Sequence, residues 1–131
     1  MASTCTLIAL NGKPCADANL YKNMVGSMQY LAFTRPDLTF AIHKVSKFMH
    51  NPLETQWQAV KRILRYLKHI VSTGLLISKV INLDLQAFSD SDWAADRDDR
   101  RSVKAHFIFQ GPNLISWSCK QQPTVARSSA E

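Results

Sequence analysis

The stretch that decides the fold is Leu85–Ala94, which reads LQAFSDSDWA. It begins as an apolar strand and then places Asp90 and Asp92 two residues apart, so that in an extended chain both carboxylates lie on one face. Carboxylates at a strand end can bind magnesium through their oxygens, especially when further acids arrive from elsewhere in the fold. Aspartate in a turn is the commoner case, so these residues alone leave both interpretations open.

The periodicity of the apolar residues changes at Gly74. Before it, three stretches have helical spacing, with Asp17 offering an N-cap to the first and Pro36 suited to the first turn of the second. The residues expected to face inward are Leu20, Met24, Met28 and Leu31 on the first helix, Leu38, Ala41, Ile42, Val45 and Phe48 or Met49 on the second, and Trp57, Val60, Leu64, Leu67 and Val71 on the third.

After Gly74 the apolar residues alternate with a period of two, which is typical of strands. The expected strands are Leu75–Ile77, Leu83–Phe88, residues 103–109 and residues 115–119. The sequence therefore predicts an α+β fold with an extended leader at residues 1–16, a helical region at 17–74 and a small, mainly antiparallel sheet within 75–131.

The charge is distributed unequally between these regions. The 131-residue chain has a formal net charge of +6, and residues 1–74 carry all of that excess, because residues 75–131 contain as many acids as bases. This division favours a basic surface for a polyanion and a separate region whose acids can gather a divalent cation. A solvated basic helix and an acidic loop would give the same totals.

The basic surface is predicted on the third helix, opposite its apolar stripe. Its residues are Lys61, Arg62, Arg65 and Lys68, and Lys44 and Lys47 of the second helix could extend it. Such a ridge can follow the phosphates of a nucleic acid without reading its sequence. An ordinary solvated helix face is the alternative.

Cysteine usage and hydropathy restrict the class of protein. Cys5, Cys15 and Cys119 are odd in number and lack C-x-x-C spacing, so free thiols in a reducing, intracellular compartment are expected. No signal peptide or membrane span is predicted. A cytoplasmic and a nuclear location both remain open.

Two further patterns concern the end of the sequence and the histidines. Ser128–Glu131 has the S-x-x-E spacing of a capping box, although no helix follows, and this predicts that the sequence is cut. The four histidines share no ligand-like spacing, so surface or partly packed imidazoles are expected at His43, His50, His69 and His106.

Several long stretches resemble a known family. Residues 21–31 (YKNMVGSMQYL), 34–38 (TRPDL) and 58–68 (QAVKRILRYLK) resemble the end of a copia-type retrotransposon reverse transcriptase. Residues 88–94 (FSDSDWA), 99–102 (DRRS) and 115–131 (ISWSCKQQPTVARSSAE) resemble the start of the ribonuclease H domain that follows it. The resemblance covers roughly residues 17–131 in the family's order.

The resemblance implies a function for each region. The helical region would be the thumb, which grips the primer-template duplex, and the polymerase's Tyr-x-Asp-Asp carboxylates are absent from this sequence. The ribonuclease H domain would cleave the RNA strand of an RNA–DNA hybrid with two Mg²⁺ (or Mn²⁺) ions. Asp90 matches its first-strand metal ligand, Glu131 matches the ligand at the start of its first helix, and Asp92 is a lesser candidate.

The match is incomplete in two respects. The family uses two further aspartates that this sequence does not contain, and two carboxylates supply too little negative charge for two cations and a phosphate backbone. At Val103–His106 the sequence also departs from the family's small hydroxyl residue and glycine, which indicates relaxed selection or a local shift in the second strand. We therefore expect this chain alone to be inactive.

Taken together, the sequence predicts a truncated Pol polyprotein fragment: a three-helix thumb-like bundle followed by a partial ribonuclease H-like sheet whose flanking helix is missing. The expected partners are an RNA–DNA hybrid or primer-template duplex and the remainder of the polyprotein, with no membrane. One alternative is a non-catalytic nucleic-acid-binding remnant that uses the basic helix 57–71. A relic without function is another.

Overall fold

The computed structural model of the protein describes residues 12–79, 81, 83–94 and 98–125. Three helices precede three strands: α1 (Ala18–Leu31), α2 (Pro36–Ser46), α3 (Glu54–His69), β1 (Leu85–Asp92), β2 (Val103–Gln110) and β3 (Asn113–Gln121). The chain divides into two compact units, one helical and one built on the sheet, between Thr73 and Gly74. The predicted α+β class with a partial antiparallel sheet is confirmed. Most of the predicted leader and Glu131 lie outside the described residues.

Local hydrogen bonds explain where the helices begin. The side chain of Asp17 accepts a hydrogen bond from the Leu20 amide at 2.8 Å, which confirms it as the N-cap of α1. Pro36 occupies the first turn of α2, where its missing N–H costs nothing. At the start of α3, the Leu53 amide donates to Gln56 Oε1 at 2.7 Å. This hydrogen bond gives the buried side chain of Gln56 a polar partner.

The core lies in the helical unit and is shared by all three helices. Among the described residues, every buried apolar side chain belongs to this unit, namely Tyr21, Val25, Met28, Leu38, Ile42, Val45, Phe48, Leu53, Val60 and Ile63. Tyr21 satisfies its buried hydroxyl by donating to the Val45 carbonyl oxygen at 2.7 Å, which joins α1 to the end of α2. Only the helical unit therefore has a conventional hydrophobic core among the described residues.

The predicted inward face is confirmed on α2 and partly wrong on the other helices. On α1 the buried residues are Tyr21, Val25 and Met28, whereas Leu20 and Leu31 are exposed. The buried face therefore passes through Tyr21 and Val25, one position beyond the predicted Leu20 and Met24.

On α3 the buried residues are Gln56, Val60 and Ile63. The predicted Leu64 and Leu67 are only partly buried. Val71 is 81% exposed because the helix ends at His69 and its carboxyl end is capped from another helix, as described below.

The sheet has the strand order β1-β2-β3, and both pairs are antiparallel. The two-residue turn between β2 and β3 contains Gly111 with a φ of 55°, a conformation that glycine adopts without strain. The predicted strand at Leu75–Ile77 is wrong, because these residues are irregular. The segment is instead held at Ser78, whose N–H and C=O both pair with the side-chain amide of Asn113, at 2.8 and 2.9 Å.

Several apolar residues of the sheet are exposed. Phe88 and Phe109 contact each other edge to face with ring centroids 6.0 Å apart, yet Phe88 is 57% exposed. All eight residues of β1 are exposed. A three-stranded sheet normally buries one face against a helix or a second sheet, so this unit exposes the surface that such an element would occupy.

None of the helices within the described ranges is long and apolar enough to cross a membrane.

Candidate metal and nucleic-acid-binding sites

Strand β1 positions the two aspartates that the sequence singled out. Asp90 pairs with Ala105 and Asp92 pairs with Val103 on β2, so the two carboxylates lie on the same face, one pleat apart. On β3, Cys119 pairs with Ala105 and Gln121 pairs with Val103, so both lie on the same face as the aspartates. We call this surface the Asp90 face; it also carries the apolar residues Phe88, Phe107, Phe109 and Trp117.

The carboxylates on this face are solvent-exposed. Asp90 Oδ1 accepts a hydrogen bond from the amide of the next residue, Ser91, at 2.8 Å, which leaves its second oxygen available to a ligand. Burial raises the pKa of the Cys119 thiol, and the charge of Asp92 raises that pKa further. The Asp90 face thus presents two exposed carboxylates at the end of β1.

The oxygen ligands on the Asp90 face suit magnesium, but there are too few of them to complete a metal site. Carboxylate oxygens are the ligands that Mg²⁺ prefers, and Asp90 and Asp92 supply them. Within the part of the chain that the structure describes, no group of three or more His, Cys, Asp or Glu side chains could hold a metal ion. Glu131, the second predicted ligand, lies outside the described residues, so its placement relative to Asp90 stays a prediction.

Helix α3 carries the predicted basic surface on the side away from the core. Lys61, Arg65 and Lys68 are exposed, and helical geometry places them within an arc of about 60° and over about 10 Å of helix axis. We call these three residues the α3 ridge. Arg62 is also exposed but lies about 100° away from Lys61 around the helix. Lys44 of α2 is exposed and Lys47 is half-buried.

Aromatic rings accompany two of the lysines. Lys61 Nζ lies 5.4 Å from the centre of the Trp57 ring, and Lys44 Nζ lies 5.8 Å from that of Phe40. Cation–π contacts of this kind contribute about 0.5–1 kcal/mol at exposed sites and restrict the lysine to fewer conformers. In both cases the lysine follows the aromatic residue by one helical turn, so the ammonium group is held along the helix surface.

A network around Arg35 that was not predicted from the sequence fixes the carboxyl end of α3. Arg35 donates from Nε and Nη2 to the carboxylate of Asp37, at 3.0 and 2.9 Å. Its Nη1 donates to the carbonyl oxygens of Ile70 and Thr73, at 3.4 and 3.0 Å. Asp37 also accepts from the Tyr66 hydroxyl at 3.1 Å. The network therefore joins the start of α2 to the end of α3 and supplies partners to carbonyls that a helix end leaves unpaired.

The same network shifts the ionisation of its members. The hydrogen bonds from Arg35 hold the pKa of Asp37 below its usual value; burial opposes this shift, and the hydrogen bond from Tyr66 adds to it. The pKa of Tyr66 is raised, chiefly because its hydroxyl donates to Asp37. Because Asp37 forms an ion pair with Arg35, it is not a candidate metal ligand.

The histidines lie in different surroundings. His43 is half-buried on α2, and burial followed by the charge of Lys47 lowers its pKa. His50, His69 and His106 are exposed. His106 lies on the face of the sheet opposite Asp90, beside two lysines that the sequence analysis did not single out. The alternation along β2 is enough to show from the sequence that Lys104 and His106 share a face. Which residues of β3 lie beside them depends on the strand register, which the sequence does not reveal.

Comparisons with known proteins identify relatives over the whole chain. Two retrovirus-related Pol polyproteins of Arabidopsis thaliana, from transposons RE1 and RE2, are 46% and 44% identical to it over 131 residues. An uncharacterized mitochondrial protein of the same plant is 46% identical over 115 residues, which are 88% of this chain and 48% of that protein. The chain spans 9% of the length of each of the two polyproteins. No family model and no solved structure matches the chain.

Proposed function

The chain belongs to the family of copia-type retrotransposon Pol polyproteins, and we propose that it combines the thumb-like end of the reverse transcriptase with the first part of the ribonuclease H domain. In this proposal the helical unit binds the backbone of a nucleic-acid duplex, and the sheet unit contributes ligands to a metal-dependent nuclease site. The remainder of the polyprotein is then its natural partner.

The α3 ridge is the observation that carries the nucleic-acid-binding part of the proposal. Its three cationic side chains are exposed, aligned along one side of a helix, and have no acidic partner among the described residues. Aligned cations displace condensed counterions from a phosphate backbone, and this gives affinity without sequence specificity. The Arg35 network supports this role because it fixes the carboxyl end of the helix that presents the ridge.

The sheet unit supplies the nuclease part of the proposal. Asp90 would be the first-strand metal ligand and Glu131 a second ligand, with Asp92 in a lesser role. The ions bound there would activate a water molecule and stabilise the leaving 3′ oxygen of the RNA strand. Since the sequence offers two of the family's four acidic ligands, we expect this chain by itself to hold metal poorly and to cleave RNA–DNA hybrids weakly or not at all.

A second candidate is a nucleic-acid-binding remnant without catalytic function. It is favoured by the contrast between the units: the helical unit has a complete core, whereas the sheet exposes its apolar face and holds no metal cluster among the described residues. In this case the α3 ridge would bind nucleic acid while Asp90 had no role.

One experiment tests the proposal and separates these candidates. The purified 131-residue protein is incubated with an end-labelled RNA–DNA hybrid, with Mg²⁺, with Mn²⁺ or with a chelator. Binding that weakens with salt is expected under all three conditions, and its absence at low salt would overturn the nucleic-acid-binding proposal.

The Asp90→Asn variant tests the nuclease part. Any metal-dependent cleavage should be lost in Asp90→Asn and retained in Asp98→Asn, which removes an exposed carboxylate from outside the strands. Binding without cleavage in every variant would favour the remnant, and cleavage that persisted in Asp90→Asn would refute the ligand assignment.

A further inference from the structure

The sheet separates its charges by face. Both aspartates of β1 lie on the Asp90 face, whereas Lys104, His106 and Lys120 lie on the opposite face. We call this opposite surface the Lys104 face. The described strands place no carboxylate on it, because the β1 residues there are Leu85, Ala87, Ser89 and Ser91. Although residues 75–131 have no net charge, one face of their sheet is therefore basic.

The basic residues of the Lys104 face are directly opposed. Lys104 on β2 pairs with Lys120 on β3, and both side chains are exposed. Like charges in such a cross-strand pair destabilise a sheet. Among the described residues neither lysine has an acidic partner. An anion between the two ammonium groups would remove this repulsion.

The neighbouring side chains indicate the kind of anion. His106 lies two residues from Lys104, about 7 Å along the strand. Hydroxyl groups flank the basic residues in the same rows: Ser91 beside Lys104, and Ser89 and Ser118 on either side of His106. Lysine and serine side chains are common donors to the phosphate oxygens of nucleic acids. Lysine is depleted in the cores of protein interfaces, and this part of the face offers no aromatic anchor for a protein partner.

We infer that the Lys104 face binds the phosphate backbone of a nucleic-acid strand, as a second contact surface distinct from the α3 ridge. The inference rests on the proposed function in that the ligand is the same polymer, but it concerns different residues in the other unit. Lys104 and Lys120 would contact phosphate together, and His106 would contact the backbone further along. Asp90 and Asp92 would not oppose this contact, because they lie on the other side of the sheet.

The test measures binding of a fluorescently labelled RNA–DNA hybrid by anisotropy over a series of salt concentrations, in chelator so that no cleavage occurs. The variant Lys104→Gln/Lys120→Gln is compared with Lys13→Gln/Lys22→Gln, which removes two exposed lysines of the helical unit that are outside the α3 ridge. Loss of two phosphate contacts should reduce the slope of log K against log salt by about 1.8. The control should retain the wild-type slope.

The outcomes separate this inference from the proposed function. If the Lys104/Lys120 variant binds like its control while neutralising the α3 ridge weakens binding, the inference is wrong and the proposed function stands. If the wild-type protein does not bind the hybrid, both are wrong. If the Lys104/Lys120 variant loses binding to labelled poly-glutamate but not to the hybrid, the face recognises acidic protein and the inference is overturned. Circular dichroism of both variants confirms that they fold.

Discussion

Neutralising the α3 ridge should reduce the salt dependence of nucleic-acid binding by a predictable amount. The variant Lys61→Gln/Arg65→Gln/Lys68→Gln removes three exposed charges, and glutamine preserves the helix because its helix propensity is close to those of lysine and arginine. If each residue contacts one phosphate of a duplex, the slope of log K against log salt falls by about 2.7. The loss of the contact between Lys61 and Trp57 is small beside this effect.

The assay is fluorescence anisotropy with a labelled RNA–DNA hybrid, in chelator, at a series of salt concentrations. The matched control is Lys13→Gln/Lys22→Gln/Lys79→Gln, which changes the net charge equally at exposed positions outside the α3 ridge. The control should reduce the slope little, because its lysines are not aligned on one helix face. Equal reductions in both variants would refute the reasoning, since binding would then depend on net charge and not on the position of the cations.

Two further predictions concern the helical unit. Tyr21→Phe should lower its free energy of unfolding by about 1 kcal/mol, measured by urea denaturation at the helical circular dichroism band, because the buried hydrogen bond to Val45 is lost; the exposed Tyr30→Phe should change nothing, and equal effects would refute the role of that bond. The lowered pKa of Asp37 means that its ion pair stabilises the fold above the ordinary aspartate pKa of 3.8 and that this contribution is lost as the pH falls through the lower, folded-state value. The stability difference between wild type and Asp37→Asn should therefore shrink in acid, and a difference independent of pH would contradict the ion pair.

Much of the fold could be predicted because local signals agreed with the tertiary structure. Asp17 caps α1 through its own side chain, and the apolar period of α2 matches its buried face. The alternation along residues 103–109 corresponds to β2. In each case the information lies within a few residues of the position that it determines.

The errors arose where a residue far along the chain determines the outcome. Tyr21 is buried because Val45 accepts its hydroxyl, 24 residues away. Arg35 pairs with the carbonyls that follow α3, where the predicted apolar stripe continues as far as Val71. Ser78 pairs with Asn113, and the predicted strand beside it does not form. Such partners are not visible in hydrophobic periodicity.

The candidate sites divide in the same way. The shared face of Asp90 and Asp92 follows from strand alternation, and the alignment of Lys61, Arg65 and Lys68 follows from helical geometry. The opposition of Lys104 and Lys120 depends on the register between β2 and β3, which neither spacing nor net charge contains.

The most direct measurement of the central claim, that α3 presents a nucleic-acid-binding ridge, is lysine footprinting by acetylation and mass spectrometry with and without the RNA–DNA hybrid. Lys61 and Lys68 are exposed in the free protein, and the hybrid should protect both of them from acetylation. Lys22 and Lys79, which are also exposed, should react equally in both samples. Unchanged reactivity of Lys61 and Lys68 at saturating hybrid, or equal protection of all four lysines, would contradict the claim.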